Sequence, residues 1–288
     1  MIHRVIARLD IKGPNLVKGI HLEGLRVLGR PEDFARYYYE SGADELMYMD
    51  VVASLYERNS LKDIIARTAR EIFIPLTVGG GIRSITDIRE VLRAGADKVS
   101  LNTAVVHHPG LITEASRIFG SSTIVVTIEA IKNPDGNYYA YVDNGRETTG
   151  IEVVSWAKRV EEMGAGEIVI TSVDREGTGE GYDLELTKKV SLAVSVPVIA
   201  HGGAGKPSHV RDVIEEGGAD AVAIASIFHY ETIRHTGRPF PCANEGNTEF
   251  LQKKKAFSPI QPASVDEVKK ELFYHLVPCR YHGNEATG

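Results

Sequence analysis

Cysteine is scarce in this chain of 288 residues, which contains only Cys242 and Cys279. Two cysteines so far apart fit neither a disulfide framework nor the close spacing of metal ligands. The scarcity argues against a disulfide-stapled secreted scaffold. We therefore expect a reduced, cytoplasmic protein with no metal site and no cofactor.

Basic charge and long apolar runs are also lacking. The formal net charge is −6, so no overall basic field attracts nucleic acid or an anionic membrane. No run of about 18 apolar residues predicts a membrane span, and the opening "MIHRVIARLD" lacks the apolar core of a signal peptide. What is present is an ordinary globular composition, with 43% hydrophobic and 25% charged residues.

Apolar, β-branched runs alternate with segments of helical periodicity along most of the chain. Eight such runs in about 225 residues predict a closed (β/α)8 barrel. A doubly wound open sheet is disfavoured, because no GxGxxG turn follows the first run. The strand-like runs lie at about 4–9, 45–50, 73–78, 97–101, 123–128, 167–172, 196–200 and 220–225. The helical segments lie at 31–41, 60–71, 84–94, 108–118, 150–163, 184–194 and 206–217.

The sequence also repeats itself at an interval of about 122 residues. "PLTVGGG" (75–81) aligns with "PVIAHGG" (197–203), and "GADELMYMD" (42–50) aligns with "GAGEIVITS" (164–172). This repeat predicts two half-barrels, so that a feature of one half has a counterpart a half-turn away.

Three consecutive glycines, Gly79, Gly80 and Gly81, follow a strand-like run and precede a helical one. Glycine lets a backbone N–H approach a ligand oxygen with no Cβ in the way, and glycine-rich loops in barrels commonly hold phosphate. With Asn102 and Thr103 they predict one phosphate site. The second predicted site comprises Gly177, Gly202, Gly203, Gly205 and Ser226. Two sites indicate a substrate with a phosphate at each end; the alternative is that the glycines only permit tight turns.

Five segments together resemble the cyclase subunit of imidazole glycerol phosphate synthase over about residues 1–230. They are "LDIKGPNLVKG" (9–19), "PLTVGGGIRS" (75–84), "GADKVSLNTA" (95–104), "TSVDREGTGEGYDLELT" (171–187) and "VIAHGGAG" (198–205). The resemblance implies a barrel that adds ammonia to a bis-phosphorylated ribulosyl-formimino carboxamide ribonucleotide. The products would be imidazole glycerol phosphate and aminoimidazole carboxamide ribonucleotide. It also implies a separate glutaminase subunit, docked on the N-terminal face of the barrel, as the source of ammonia.

Two strand-end carboxylates, Asp10 and Glu129, suit the proton transfers of ring closure. They are expected on opposite sides of the barrel mouth. The resemblance implies that Asp10 is the general base and that Glu129, where the family has Asp, is the general acid. The extra methylene moves the carboxylate about 1.5 Å outward, and misplacement of that order can cost about 100-fold in rate.

Other positions depart from the resembled family. Arg8 replaces a small residue, usually Cys; Val52 replaces Thr; Glu176 replaces the second Asp of "DRDG"; and His201 replaces a small polar residue. These changes indicate either a divergent cyclase or a paralogue with a remodelled substrate.

Three charged positions of the resembled family are retained: Lys18, Asp50 and Asp174. Asp50 and Glu176 are expected to contact the substrate. Lys18 is expected on the first loop, where it either closes over a phosphate as a point charge or is an ordinary exposed lysine.

Four charged residues occupy the starts of predicted strands, at the opposite end of the barrel: Arg4, Glu45, Lys98 and Glu167. They are expected to converge around the barrel axis, where buried charges persist only when paired. The resemblance implies a gate through which ammonia enters. The alternative is an ion-pair ring that only stabilises the fold.

The last part of the chain is less readable. Residues 132–150 are predicted to form a hairpin on the catalytic face, because Asp135-Gly136 and Asn144-Gly145 are turn signals around an alternating aromatic run. We expect a barrel over 1–230 and, over 231–288, an irregular insertion followed by a helix near 264–275 packed on the barrel.

Two further functions stay open. One is an ammonia-using synthase subunit that forms an amidine on a nucleotide sugar for surface polysaccharide. The other is a non-catalytic barrel that binds and regulates a glutaminase. Retention of both carboxylates and of the glycines argues against the second.

Overall fold

The computed structural model describes residues 1–52, 61–236 and 260–281 of the chain. Within these residues, the strands are β1 (Arg4–Lys12), β2 (Asn15–Ile20), β3 (Glu23–Gly29), β4 (Glu45–Asp50), β5 (Leu76–Gly79), β6 (Lys98–Leu101), β7 (Ile124–Lys132), β8 (Tyr138–Val142), β9 (Glu147–Glu152), β10 (Glu167–Ser172), β11 (Val198–His201) and β12 (Ala221–Ile224). Eight of them run parallel in the order β1, β4, β5, β6, β7, β10, β11, β12, and β12 pairs back to β1. The predicted (β/α)8 barrel is therefore confirmed.

Each predicted helical segment contains a helix. The described helices are α1 (Pro31–Glu40), α2 (Lys62–Thr68), α3 (Ile85–Ala94), α4 (Thr103–His107), α5 (Gly110–Phe119), α6 (Val153–Glu162), α7 (Leu184–Ser191), α8 (Pro207–Glu215), α9 (Ser226–Thr236) and α10 (Val265–Tyr274). Local chemistry sets several of their starts. The Ser84 side chain accepts the Asp87 N–H before α3, and proline is the first residue of α1 and of α8. None of the described helices is long and apolar enough to cross a bilayer.

Alternation along the strands sorts side chains between the two faces of the barrel wall. On β1, Val5, Leu9 and Ile11 belong to the large core under the helices, whereas Ile6 belongs to a separate cluster inside the barrel. The other members of that inner cluster are Met47, Val125, Val169, Ile199, Ala221 and Ala223. This apolar layer separates the two ends of the barrel interior.

Two antiparallel hairpins extend the barrel strands. β8 and β9 follow β7, as predicted, with β8 paired to the end of β7. The other hairpin, β2 and β3, was not predicted: β2 pairs with the end of β1, Asp10 opposite Val17. Its strands occupy the segment that the sequence analysis treated as the first loop. Both hairpins continue barrel strands beyond their carboxyl ends, and so border the same face of the barrel.

The C-terminal helix α10 packs against α8 at the side of the barrel. A buried ion pair holds it to the start of β4, since Lys269 Nζ donates to Asp44 Oδ1 over 2.7 Å. Residues 237–259, where most of the irregular insertion was expected, lie outside the described residues.

Candidate active site

A cavity of about 430 Å³ lies at the carboxyl ends of β4, β5, β6 and β7, and Arg8 of β1 also lines it. Of the residues predicted for the site, those lining it are Asp50, Gly80, Gly81, Asn102, Thr103 and Glu129. Several other residues on its wall were not predicted from the sequence, among them Arg83, Ser100, His107, His108 and Asn144. The cavity has room for a small phosphorylated molecule and lies where barrel enzymes carry their sites.

Asp10 is buried at the end of β1, two residues from Arg8 on the same inward face. Arg8 Nε donates to Asp10 Oδ1 over 2.9 Å, and Arg8 Nη1 donates to His201 Nδ1 over 3.1 Å. Burial pushes the pKa of Asp10 upward, but the charges of Arg8 and Lys18 and the Arg8 hydrogen bond outweigh it and hold that pKa below its usual value. Asp10 is therefore an ionised carboxylate at neutral pH.

Glu129 lies on β7 and is also buried, but its pKa is shifted in the opposite direction to that of Asp10. Burial raises its pKa to about 7, although the Gly145 N–H donates to Oε2 over 2.8 Å and the Arg8 charge acts in the opposite direction. Near neutrality Glu129 therefore holds a proton part of the time. One ionised and one partly protonated carboxylate have the charge states that a base and an acid require.

The glycines of the first loop, Gly80 and Gly81, have φ of 95° and 70°, in the left-handed region that favours glycine. A Cβ on Gly80 would lie 2.2 Å from the Asp50 carbonyl oxygen. Close packing against β4 thus accounts for Gly80 without any ligand. Its loop nevertheless faces the large cavity together with Asn102 and Thr103.

The second loop has similar backbone conformations but a different space in front of it. Gly202 and Gly203 have φ of 97° and 105°, and a Cβ on Gly203 would lie 2.1 Å from the Gly181 carbonyl oxygen. With Gly177 and Ser226 they line a cavity of only about 10 Å³, roughly the room of one water molecule. The two predicted phosphate sites therefore differ in volume, because the side chains of His201 and Glu176 line the second site and occupy space there.

Lys18 does not lie on an exposed loop. It is buried on β2 and forms an ion pair with Glu176 Oε1, while Glu176 Oε2 accepts the Leu22 N–H over 3.0 Å. Two residues predicted to contact the substrate thus bind each other and fasten the β2–β3 hairpin to the loop after β10. The retained Asp174 also has a structural contact, as its Oδ2 accepts the Lys132 N–H over 2.9 Å.

The four charged residues at the amino-terminal end of the barrel form a closed ring. Arg4 Nη1 lies 2.5 Å from Glu45 Oε1 and 2.8 Å from Glu167 Oε1. Lys98 Nζ lies 3.2 Å from Glu45 Oε2 and 3.1 Å from Glu167 Oε2. Charges alternate around the barrel axis, and each carboxylate bridges two cations, so the ring is neutral overall.

Behind Asp10 lies a buried histidine that sequence reasoning missed. His229 Nδ1 is 2.6 Å from the Tyr38 hydroxyl, and its Nε2 has no hydrogen-bond partner among the described residues. Burial first, and then the Lys18 charge, lower its pKa to about 3 against the opposing charge of Asp10. The sequence did not indicate that His229 would lie near Asp10, because a histidine on an apolar helix face carries no motif. Among the residues the structure covers, no group of three or more His, Cys, Asp or Glu side chains could hold a metal ion.

Comparison with known proteins gives a consistent result. The model of the family described as "histidine biosynthesis protein" matches residues 4–234. The chain is 59% identical to "imidazole glycerol phosphate synthase subunit HisF" of Legionella pneumophila over 203 residues, 70% of this chain and 96% of that protein. Proteins of the same name from Alkaliphilus metalliredigens and Methanocaldococcus jannaschii are each 48% identical, covering 80% and 84% of this chain and 91% and 96% of their own lengths.

Proposed function

The chain belongs to the family of histidine biosynthesis proteins, and from this premise we propose that it is the ammonia-dependent cyclase subunit of imidazole glycerol phosphate synthase. Its substrate is then the bis-phosphorylated ribulosyl-formimino carboxamide ribonucleotide. Ammonia adds to the substrate, an imidazole ring closes with loss of water, and imidazole glycerol phosphate and aminoimidazole carboxamide ribonucleotide leave.

The observation that carries the proposal is the pair of buried carboxylates with opposite pKa shifts in one barrel mouth. Ring closure requires a proton to leave the amine nitrogen as it forms its new carbon–nitrogen bond. Asp10, ionised beside Arg8, is assigned this task. A proton must also reach the leaving group, and Glu129 holds one near neutrality. General acid and base groups each contribute about 10²–10⁴-fold to rate when positioned in this manner.

The substrate's phosphates have unequal places to bind. The first loop, with Gly80, Gly81, Asn102 and Thr103, opens onto the large cavity and is assigned one phosphate. The second phosphate is assigned to the loop with Gly202 and Gly203. Its small cavity must widen on binding, and Glu176, which borders it and pairs with Lys18, is the side chain that has to yield.

We place a glutaminase partner on the amino-terminal face of the barrel, around the charged ring. Large exposed apolar side chains support this placement, because several lie on segments that lead into barrel strands. Met1 and Ile2 precede β1, Phe73 precedes β5 and Leu192 precedes β11. Apolar surface on one face, around a ring that closes the barrel axis, suits a partner that delivers a small product into the barrel.

The test is turnover of the bis-phosphorylated substrate by the purified chain with ammonium salt as nitrogen source. Asp10→Asn should abolish turnover and leave substrate binding nearly intact, because the amide keeps the shape of the carboxylate but cannot accept a proton. Glu71→Gln, in an exposed ion pair with Arg36, is the matched control. Absence of turnover in the unmodified chain would refute the proposal, and amidine formation from a nucleotide sugar with ammonium would replace it.

A further inference from the structure

Arg8 and His201 are buried in the barrel mouth, and the proposed reaction assigns a role to neither. They are 3% and 4% exposed. A buried guanidinium is costly unless it is paired, and a large ring takes up room that a substrate could use. The presence of two such side chains in contact in the barrel interior therefore needs a physical explanation.

Their hydrogen bonds form a chain that crosses three barrel strands. The Thr171 hydroxyl on β10 lies 3.2 Å from His201 Nδ1 on β11. The same nitrogen accepts from Arg8 Nη1 on β1 over 3.1 Å, and Arg8 Nε donates to Asp10 Oδ1 over 2.9 Å. Since a guanidinium can only donate, His201 accepts at Nδ1 and carries its ring proton on Nε2. Strands hold every member of this chain, so its geometry is rigid.

We infer that Arg8, braced by His201, is a positioning residue for Asp10, which fixes that carboxylate in the orientation and charge state of a base. A single guanidinium nitrogen on Oδ1 leaves Oδ2 to accept the proton that the reaction removes. The inference rests on the proposed function only in that it takes Asp10 as the base of that reaction. Arg8 also lines the large cavity, and we assign its effect on the reaction to Asp10 rather than to a contact with the substrate.

Among the charged groups around Asp10, Arg8 has the strongest influence on whether that carboxylate is ionised. Lys18 on β2 also acts on Asp10 but is ion-paired with Glu176. His229 on α9 is neutral because burial, followed by the Lys18 charge, lowers its pKa to about 3.

The remaining neighbours lie on other barrel strands. Burial, with the charges of Arg8 and Lys18, lowers the pKa of His201 on β11 well below its usual value, so His201 is neutral. Asp50 on β4 stands beside Ile11 in the register, and Glu129 lies on β7. Among the described residues, Arg8 is the cation in direct contact with Asp10. Without it, only the charge of Lys18, itself paired with Glu176, would oppose burial, which favours the protonated and inactive form of Asp10.

The experiment measures Asp10 directly, by carbon-13 NMR titration of the full chain labelled at the aspartate side-chain carboxyl carbons, with Asp10→Asn to assign its signal. Arg8→Met removes the charge with little change in volume, and we expect the titration midpoint of Asp10 to rise by about one pH unit or more. In Arg8→Lys, which keeps the positive charge but loses the guanidinium group, the Asp10 midpoint should rise less. His201→Ala should give a smaller rise than Arg8→Met, and no additional rise in the Arg8→Met background.

Kinetics provide the second readout, with free ammonia held constant across pH. In Arg8→Met, the acidic limb of the kcat profile should move to higher pH by the same interval as the Asp10 midpoint, while KM changes little. Arg36→Met, which breaks an exposed ion pair with Glu71, is the matched control and should change neither readout.

Two results would overturn the inference. An unchanged Asp10 midpoint with lowered thermal stability would make Arg8 a structural residue. An unchanged midpoint with a large rise in KM would make it a substrate contact. If Arg8→Met does not fold, Arg8→Lys and His201→Ala decide between the same outcomes. A shifted midpoint in a chain that turns over no bis-phosphorylated substrate would refute the proposed function and keep this inference.

Discussion

Replacing Lys98 by methionine should uncouple the two nitrogen sources of the reaction. The lysine bridges two carboxylates, with its Nζ 3.2 Å from Glu45 and 3.1 Å from Glu167. Methionine has a similar length but no charge, so the neutral ring acquires a net negative charge, with Arg4 left to pair with both carboxylates. The perturbation lies at the end of the barrel away from Asp10.

The size of the effect follows from the burial of the ring. The side chains of Lys98, Glu45 and Glu167 are 16%, 7% and 12% exposed, so water cannot fully replace the lost cation. Removing one partner of a largely buried pair costs about 3 kcal/mol. In a chain of 288 residues that corresponds to a fall in melting temperature of about 5 °C. The protein should therefore still fold at 25 °C.

The assay compares turnover with ammonium salt and turnover with glutamine plus the glutaminase subunit. Free ammonia can reach the substrate through the open mouth, so the ammonium-dependent rate of Lys98→Met should stay close to that of the unmodified chain. The glutamine-dependent rate should fall about tenfold or more, because the excess negative charge that Arg4 alone cannot neutralise disturbs the gate by more than the ~1.4 kcal/mol that corresponds to a tenfold change. Both docking of the partner and passage of ammonia contribute to this loss.

Lys269→Met is the matched control, since it also removes a buried lysine, paired with Asp44 at 2.7 Å, but leaves the ring intact. It should lose comparable stability and keep the ratio of the two rates. Equal losses with both nitrogen sources in Lys98→Met would refute the reasoning and make the ring a purely structural feature. Unchanged rates with both would mean that no glutaminase delivers ammonia through this face.

Three further predictions concern the mouth of the barrel. Glu129→Gln should lower ammonium-dependent turnover about 100-fold, because it removes the proposed acid. Glu129→Asp should retain or raise that turnover. Full activity of Glu129→Gln in steady-state kinetics would mean that another residue is the acid. Burial raises the pKa of Glu129 from 4.5 to about 7, so its contribution to stability is lost as pH rises through that interval. Urea unfolding of Glu129→Gln should therefore give about 3 kcal/mol more stability than the unmodified chain at pH 8 and no difference below pH 4.5; a difference independent of pH would contradict this. Gly80→Ala should destabilise the fold by well over the ~1 kcal/mol that an alanine costs in the left-handed region, because its Cβ would meet the Asp50 carbonyl oxygen. Gly24→Ala, which has open space around its Cβ, should cost only that ~1 kcal/mol. Equal melting temperatures of the two variants would contradict this prediction.

Much of the barrel could be predicted from local pattern. Arg4, Ile6, Arg8 and Asp10 alternate along β1, so a period of two places all four on the inner face once the strand is recognised. The position of Arg4 at one end of the barrel and of Asp10 at the other then follows from their places along the strand. This local signal is strong because barrel strands are buried on both faces and rich in β-branched residues.

Contacts between distant segments could not be predicted in the same manner. Lys18 was expected on a loop, yet it lies on β2 because the hairpin pairs with the end of β1. Its partner Glu176 is 158 positions away, and only the closed barrel brings the two together. The two glycine loops look equivalent as sequences. Their cavities differ because of the side chains beyond the loops, His201 and Glu176 among them, and the volume that these leave is a tertiary property.

The order of layers inside the barrel suits the passage of ammonia in particular. From the ring at Arg4 to the base at Asp10, β1 rises about 20 Å, and the apolar cluster around Ile6 and Met47 fills the interval. Neutral ammonia enters such a layer at far smaller cost than ammonium, whose charge would be stripped of water there. Beyond the layer the first charge on β1 is the guanidinium of Arg8, which repels ammonium and leaves ammonia unaffected. We therefore expect the nitrogen that arrives beside Asp10 to be unprotonated, with its lone pair available, so that the base need act only after the new carbon–nitrogen bond begins to form.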